Sequence, residues 1–415
     1  MRPATHKIKN YKLQQILILT GSAMNRIILS LYISIFFTSG LVAEPYIPNN
    51  DAQVLLKLHS PKTNLKTDKD NSIDSPQNLA SHYKVIAAML ERAKQSSSER
   101  LYGEAETMLY KPGVAINRHQ GLLLIKADIQ QHFHQFEDAL ITLQSIKHSP
   151  QARLLEANIL LTQGEYEKAR QACTGLIGNS SLLLVTTCIT QTISMRGQLT
   201  ESYTLLQKVF EQYQNNDPDS HHWALTSLAE MAERLSDDVA AINYYQQAIQ
   251  ILPTDIVSRI ALFDLHLKHQ NTGSALSVLN GHDKNDALLL RAIRAADKKP
   301  GQNKDKSKQT NLNRLKQRIA LLEVRNDNLH LDTLAEYYLY INRNPTKAAK
   351  WARAHWTNQK TPRDARLLLR AAVQANDINS IQLLRNWQQL HNFEDHWLEL
   401  ELSKYTSSDI MGVKN

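Results

Sequence analysis

The side chains of this 415-residue chain best suited to chemistry are sixteen histidines, two cysteines and a few close carboxylates. Three local histidine pairs stand out: His132/His134, His221/His222 and His266/His269. Only His266/His269 has the i, i+3 spacing that puts two imidazoles on one helical face. Asp264, two residues from His266, projects from a different side, and a metal centre needs three or four converging, supported ligands. Edge or solvent-facing histidines are therefore expected, and no metal, cofactor or catalytic residue is predicted. Glu230 and Glu233 would need burial in opposed environments to act as acid and base; a groove-lining polar role is the better reading. Trp351 and Trp356, spaced by five among Ala348, Ala349 and Ala352, read as core rather than as a carbohydrate platform. No Gly-rich phosphate loop, GxSxG or HExxH occurs.

Cys173 and Cys188 are the only cysteines. Gly178-Asn179-Ser180-Ser181 reads as a turn midway between them, which would set both at similar height on an antiparallel helical hairpin. Two readings stay open. A disulfide would close a loop of ~15 residues and contribute roughly 3 kcal/mol; otherwise both are small buried hydrophobes. No CxxC or Cys/His spacing suggests a metal or redox role.

The elements that must position these residues are helices. Gly and Pro together make up about 6 % of the chain, roughly half the usual share, which argues against an all-β sandwich and against a disordered chain. From residue 77 onward the apolar period is helical, cut into pieces of about 12–17 residues by short polar turns. The pieces repeat. Ala127, His134, Phe136, Ala139, Leu143 and Ile146 are matched 30 residues later by Ala157, Gly164, Tyr166, Ala169, Cys173 and Leu176. A third copy carries Thr190, Gly197, Leu199, Ser202, Leu206 and Val209. The clearest runs from Leu225 through Ala229, Ala241, Tyr245 and Ala248 to Pro253, and Phe263, Ala275 and Leu279 follow 34 residues after Ala229, Ala241 and Tyr245.

This pattern resembles the tetratricopeptide repeat, a pair of antiparallel helices of about 34 residues. The layout is also similar to that of exported bacterial tetratricopeptide proteins, which adds no activity. The resemblance implies an all-α fold: a right-handed α-solenoid of antiparallel helix pairs, with an irregular N-terminal arm and a C-terminal capping helix. Small residues such as Ala229 and Ala241 would let two helices approach, Tyr245 would fill the space beside the next pair, and Pro253 would stop the second helix. It further implies that the first helix of each pair lines a concave groove. With Ala139, Ala169, Ser202, Ala241 and Ala275 set in register, the groove positions fall on Asp128, His132, Asn158, Gln191, Trp223, Glu230, Arg234, Asp264 and Lys268. Binding of a chaperone's C-terminal carboxylate is disfavoured, because Leu154 and Cys188 stand where Lys and Asn would be wanted.

The remaining segments bear on location. Asn25-Arg26, an apolar run from Ile27 to Phe37 and small residues ending at Ala43 have the layout of a cleavable export signal, with Met24 as an alternative start. The competing reading is a retained anchor, although 27–43 falls short of the ~20 residues that span a bilayer. Residues 44–76 read as an irregular arm with one short helix at Asp51–His59, 77–297 as N-terminal repeats, 298–308 as a basic linker, and 309–415 as degenerate C-terminal repeats with a cap. Helices are expected at 77–95, 101–110, 309–325, 329–342, 346–358, 363–375 and 378–390, with Phe393–Lys404 as the cap. The leader carries +5 and the linker +4 of the formal +8, leaving −1 elsewhere. No basic face for nucleic acid is implied. The expectation is a non-enzymatic, exported (periplasmic, in a Gram-negative cell) scaffold that binds a protein or peptide partner. The only membrane contact expected is through an uncleaved leader. The alternatives are a metal-handling protein using surface histidines and a glycan-active enzyme on a helical platform.

Overall fold

The computed structural model describes residues 76–96, 98–111, 114–213, 217–279, 285–298 and 306–405, all within the compact unit Asp68–Asn415. The leader at 1–43, the arm with its helix at Asp51–His59, the Pro112-Gly113 stop and most of the lysine-rich linker lie outside the described residues.

The described residues form an all-α solenoid of helix pairs and contain no strand. The first six pairs are α1 (Pro76–Ser96) with α2 (Glu99–Leu109), α3 (Gln120–His132) with α4 (Phe136–Gln144), α5 (Pro150–Gln163) with α6 (Tyr166–Thr174), α7 (Leu182–Ser194) with α8 (Leu199–Gln212), α9 (Pro218–Arg234) with α10 (Asp238–Ile251), and α11 (Ile256–Lys268) with α12 (Thr272–Val278). Three further pairs follow: α13 (Asp286–Lys298) with α14 (Lys306–Val324), α15 (Leu331–Glu336) with α16 (Pro345–Asn358), and α17 (Pro362–Ala375) with α18 (Ile378–His391). α15 runs on as a π turn at Tyr337–Ile341, and α19 (His396–Ser403) ends the array. No described helix is long and apolar enough to cross a membrane.

Local chemistry sets these boundaries. Ser149, Ser181, Asp217, Asp255, Asn344, Asp377 and Asp395 each accept a backbone N–H at a helix start, a contribution of about 1 kcal/mol apiece. Pro150, Pro218, Pro345 and Pro362 occupy first-turn positions, where a missing N–H costs nothing. The turn inside seven of the pairs is left-handed at one residue: His134, Gly164, Gly197, Ser236, Gln270, Arg343 and Asn376 all have positive φ. At most of these stops the following N–H reaches back to the carbonyl five residues earlier, as from Glu165 to Leu160 at 2.8 Å and from Asp237 to Ala232 at 2.8 Å.

Packing follows the small-and-large pattern. Ala127, Ala139, Ala169, Ala229, Ala241 and Ala248 are wholly buried and Ala157 nearly so, and removal of side-chain bulk there brings paired helices together. Tyr245 packs with Ala229 and Ala241 of its own pair and with Leu262 and Leu265 of the next. The chain bends at Pro253, whose carbonyl accepts from Arg259. Cys173 and Cys188 are bonded to each other, with Cα atoms 5.5 Å apart, and tie α6 to α7. Trp356 is buried edge-on to Trp387 at 5.0 Å between ring centres. Trp351 is half-buried against the same core.

The C-terminal pairs do not simply extend the array; they return to its middle. Lys360, in the turn between α16 and α17, donates its N–H to Thr162 O at 2.8 Å and accepts from the Tyr166 hydroxyl at 3.1 Å. Glu394, between α18 and α19, accepts from the Leu199 N–H at 2.6 Å. Tyr166 and Met195 therefore belong to the same apolar cluster as Trp356, Trp387 and Phe393. Truncating a large side chain at an inter-pair contact opens a cavity that rigid helices close poorly. Tyr245→Ala is accordingly expected to lower the unfolding free energy by about 3–5 kcal/mol in chemical denaturation, and a midpoint equal to wild type would refute the packing register.

Candidate functional site

Folding the C-terminal pairs onto α5–α11 converts an open groove into two adjoining cavities that share Glu230, Thr361 and Pro362. The larger, about 570 Å³, lies between α9 and α11 on one side and α15–α17 with Trp397 on the other. The smaller, about 300 Å³, lies against α3, α5, α7 and α9 and ends on Thr361-Pro362.

The groove residues expected from the repeat register divide into three groups. Asn158, Gln191, Trp223 and Glu230 line the smaller cavity, and Glu230, Asp264 and Lys268 the larger. Asp128 and His132 lie in neither. Asp128 pairs with Lys94 at 2.7 Å, while His132 contacts Glu99 at 2.8 Å and stacks on Tyr102. Arg234 borders the larger cavity but is 1 % exposed, so it lies beneath the groove surface. Its donors go to Ser194 O at 2.6 Å, Ser194 Oγ at 3.1 Å and Glu394 O at 3.0 Å, and its plane covers Phe393. A charged guanidinium removed from water is tolerated only where its donors are met in this way; burial pulls its pKa down, opposed by Glu230 at 3.7 Å.

Most other charges around the larger cavity are committed to one another. Arg366, from α17, engages Glu233 of α9 and donates to Asp395 at 2.8 Å. Burial disfavours its charge, but the two carboxylates more than compensate and raise its pKa. Asp264 is held by Arg291 at 2.7 Å and Arg294 at 2.9 Å; Glu336 is held by Arg291 and Arg363, each at 2.9 Å. Burial would raise both carboxyls, yet the facing guanidinia keep them below their ordinary values. Glu233 and Glu230 differ: burial dominates and raises both. Lys268 reaches Asp238 at 2.5 Å.

The histidine pairs do not converge on a common centre. His266 is buried with its pKa lowered by desolvation, whereas His269 turns to Asp238 at 2.7 Å. His222 contacts Asp255 at 2.9 Å, and His221 accepts the Phe210 ring edge-on. His134 lies 3.1 Å from Gln359. No group of three or more potential metal ligands occurs among the described residues. Arg363, Arg366, Arg370, His355 and Trp397 also line the site. All five come from the C-terminal repeats, whose fold-back no local spacing announces.

No protein-family model matches the chain, and no curated protein matches its sequence. Among solved structures it is similar to the APC/C hetero-tetramer Cut9–Hcn1, at TM-score 0.46 and 18 % identity over 76 % of this chain and 60 % of that one. A tetratricopeptide repeat protein from Parabacteroides merdae aligns at TM-score 0.33 and 14 % identity, covering 71 % of this chain and 99 % of that one. The human IFIT1 dimer with PPP-AAAA aligns at 0.39 and 12 % identity, covering 81 % and 88 %. The chain thus spans 60 % of the Cut9–Hcn1 chain's length. At these scores the likenesses say nothing of a ligand.

Removing one partner of a buried ionic cluster leaves uncompensated charge behind. Arg366→Ala is expected to cost about 3–5 kcal/mol in chemical denaturation, and adding Glu233→Gln to it should restore part of that loss. A second test uses His355, 3.0 Å from Asp364 and buried with it between α16 and α17. Burial disfavours both charges, but their attraction wins, so the His355 pKa is raised and that of Asp364 lowered. The Asp364 contribution is present above its unfolded pKa of about 4 and lost as pH falls through the folded value; the His355 contribution is full below about 6.5 and lost as pH rises through its folded value. The difference in Tm between wild type and His355→Gln should therefore be largest between about pH 4 and 6.5 and shrink on either side.

Proposed function

We propose that the protein is an exported, non-enzymatic helical-repeat scaffold that binds a protein or peptide partner in the cell envelope, with the larger cavity receiving a short peptide segment. The observation that carries this reading is what the cavity leaves uncommitted. On α11, Val257 is 65 % exposed and Ala261 stands one turn further on. Elsewhere in the lining, the Arg370 guanidinium stacks on Trp397 at 4.5 Å and is hydrogen-bonded to no carboxylate among the described residues. An apolar strip with an available guanidinium and an indole suits a segment bearing one apolar side chain and one carboxylate. The surrounding ion pairs fix the walls beforehand, which reduces the ordering cost of binding. Five acidic side chains and five Lys or Arg side chains share the lining, and this balance favours a mixed-charge peptide over a polyanion.

Acid–base catalysis would need two carboxyls in opposed environments. Glu230 has the raised pKa of an acid, but Glu233, its neighbour on α9, is raised as well and engaged by Arg366. Export is supported by the leader's layout and by the Cys173–Cys188 bond, which suits an oxidising compartment; retention through residues 27–43 is the alternative.

A photoreactive residue placed at Val257 in cells should capture a discrete protein or peptide, and Arg370→Ala should reduce that adduct by about tenfold, as expected for loss of a charge-assisted contact. Purified protein incubated with peptidoglycan should release no soluble fragments. Release that is abolished by Glu230→Gln would instead establish a glycan-active enzyme.

A further inference from the structure

The smaller cavity differs in chemistry from its neighbour. Successive first helices each contribute one side-chain amide to it: Gln131 from α3, Asn158 from α5 and Gln191 from α7. All three are half-buried, and none of these amide groups is hydrogen-bonded within the described residues, although the ion pairs of the larger cavity are saturated a few residues away. Each amide offers two donor and two acceptor sites, and partly desolvated groups of this kind are stabilised by a ligand or water that pairs with them. Trp223 completes the set: it packs against the cluster containing Cys173, Cys188 and Leu176, and it also borders the cavity. The disulfide joins α6 to α7 one turn before Gln191, which holds the helix that carries Gln191 against the pair that carries Asn158.

Two further features narrow the ligand. Among the described residues no Lys, Arg or His borders this cavity, and the one charged side chain there, Glu230, is an acceptor, so a phosphate or carboxylate would find no counter-charge from them. Thr361-Pro362 stands at its end, held there by the Lys360 N–H on Thr162 O and the Tyr166 hydroxyl on Lys360 O. An extended chain running along the groove would meet that wall, whereas a compact molecule would not. The volume, about 300 Å³, is at the small end of ligand sites.

We infer that this cavity binds a neutral saccharide unit, its hydroxyl groups pairing with the amides of Gln131, Asn158 and Gln191 and its apolar ring face resting on Trp223. A sugar hydroxyl both donates and accepts, which matches the dual character of the amides, and the carboxylate of Glu230 accepts one more hydroxyl. Burial raises the pKa of that carboxyl, so pairing with a hydroxyl suits it better than exposure to a second anion. This site is separate from the peptide reading of the larger cavity, and either can fail without the other.

The test uses the intact protein, titrated with glucose, galactose, N-acetylglucosamine, maltotriose and chitotriose, and with a neutral tripeptide as comparator, followed by tryptophan fluorescence and calorimetry. At least one saccharide should bind with a Kd of about 1 mM or tighter. Asn158→Ala and Gln191→Ala should each weaken it about five-fold, the loss of one neutral hydrogen bond. Trp223→Phe should retain part of the binding and Trp223→Ala none, with far-UV circular dichroism and Tm confirming that each variant is folded. No saccharide binding at about tenfold that concentration would overturn the inference. So would saccharide binding indifferent to the amide variants, or tripeptide binding that is lost in those same variants.

Discussion

A guanidinium with almost no access to water ties the end of this chain to its middle. Arg234, the last residue of α9, donates to the Ser194 carbonyl at the end of α7 and to the Glu394 carbonyl between α18 and α19, with Phe393 beneath its plane. A buried cation of this kind is tolerated only where donors and charge are satisfied from several directions, so its burial requires the C-terminal turn to be in place. Arg366 makes the reciprocal connection, from α17 back to Glu233 on α9. The two arginines point in opposite directions along the chain, one from the central repeats and one from the C-terminal repeats; both border the larger cavity, and they hold in place the C-terminal turns whose Thr361-Pro362, with Glu230, separates it from the smaller one. That boundary is why a single groove register yields two cavities of different chemistry, one walled by ion pairs and one by amides.

Much of the local structure was legible in the sequence, and the closure was not. The helix pairs follow from apolar periodicity, Ser and Asp caps and first-turn prolines, all of which act within a few residues of the element they define. The Ala229–Ala241 approach and the Tyr245 contact with the next pair are equally local in cause, since a missing side chain permits close packing wherever it occurs. The left-handed turns show where legibility stops. His134, Ser236 and Gln270 adopt the backbone that Gly164 and Gly197 adopt, so glycine is not required for the turn itself. What sets the two glycines apart is what lies over them: a Cβ on Gly164 would come within 2.9 Å of the Lys360 side chain, and one on Gly197 within 3.0 Å of Asn392. These glycines were the one trace of the fold-back that the sequence displayed, and they looked like ordinary turn residues because their partners lie nearly two hundred positions away.

The same limit governs the candidate site. The repeat register places Asn158, Gln191 and Trp223 on a common face, and they do border one cavity. It places Arg234 and Asp264 there by the same rule, yet both are committed to internal partners. Residue type and spacing do not distinguish an available polar group from a consumed one, because the consuming groups are often backbone carbonyls, such as those of Ser194 and Glu394, that have no signature in a sequence.

Closure also changes the cooperativity expected of the array. In an open solenoid each repeat touches only its neighbours, so stability is a sum of nearest-neighbour terms and the ends can fray independently. Here Tyr166 hydrogen-bonds Lys360 across 194 positions and Glu394 caps the Leu199 N–H across 195, so the C-terminal pairs cannot separate without exposing polar groups and apolar surface in the centre. The central pairs, in turn, cannot open without uncovering Tyr166 and Met195 from the cluster that contains Trp356, Trp387 and Phe393. Central and C-terminal pairs coupled in this way are expected to unfold together, and the cavities between them keep their shape because the walls on both sides belong to the same folding event.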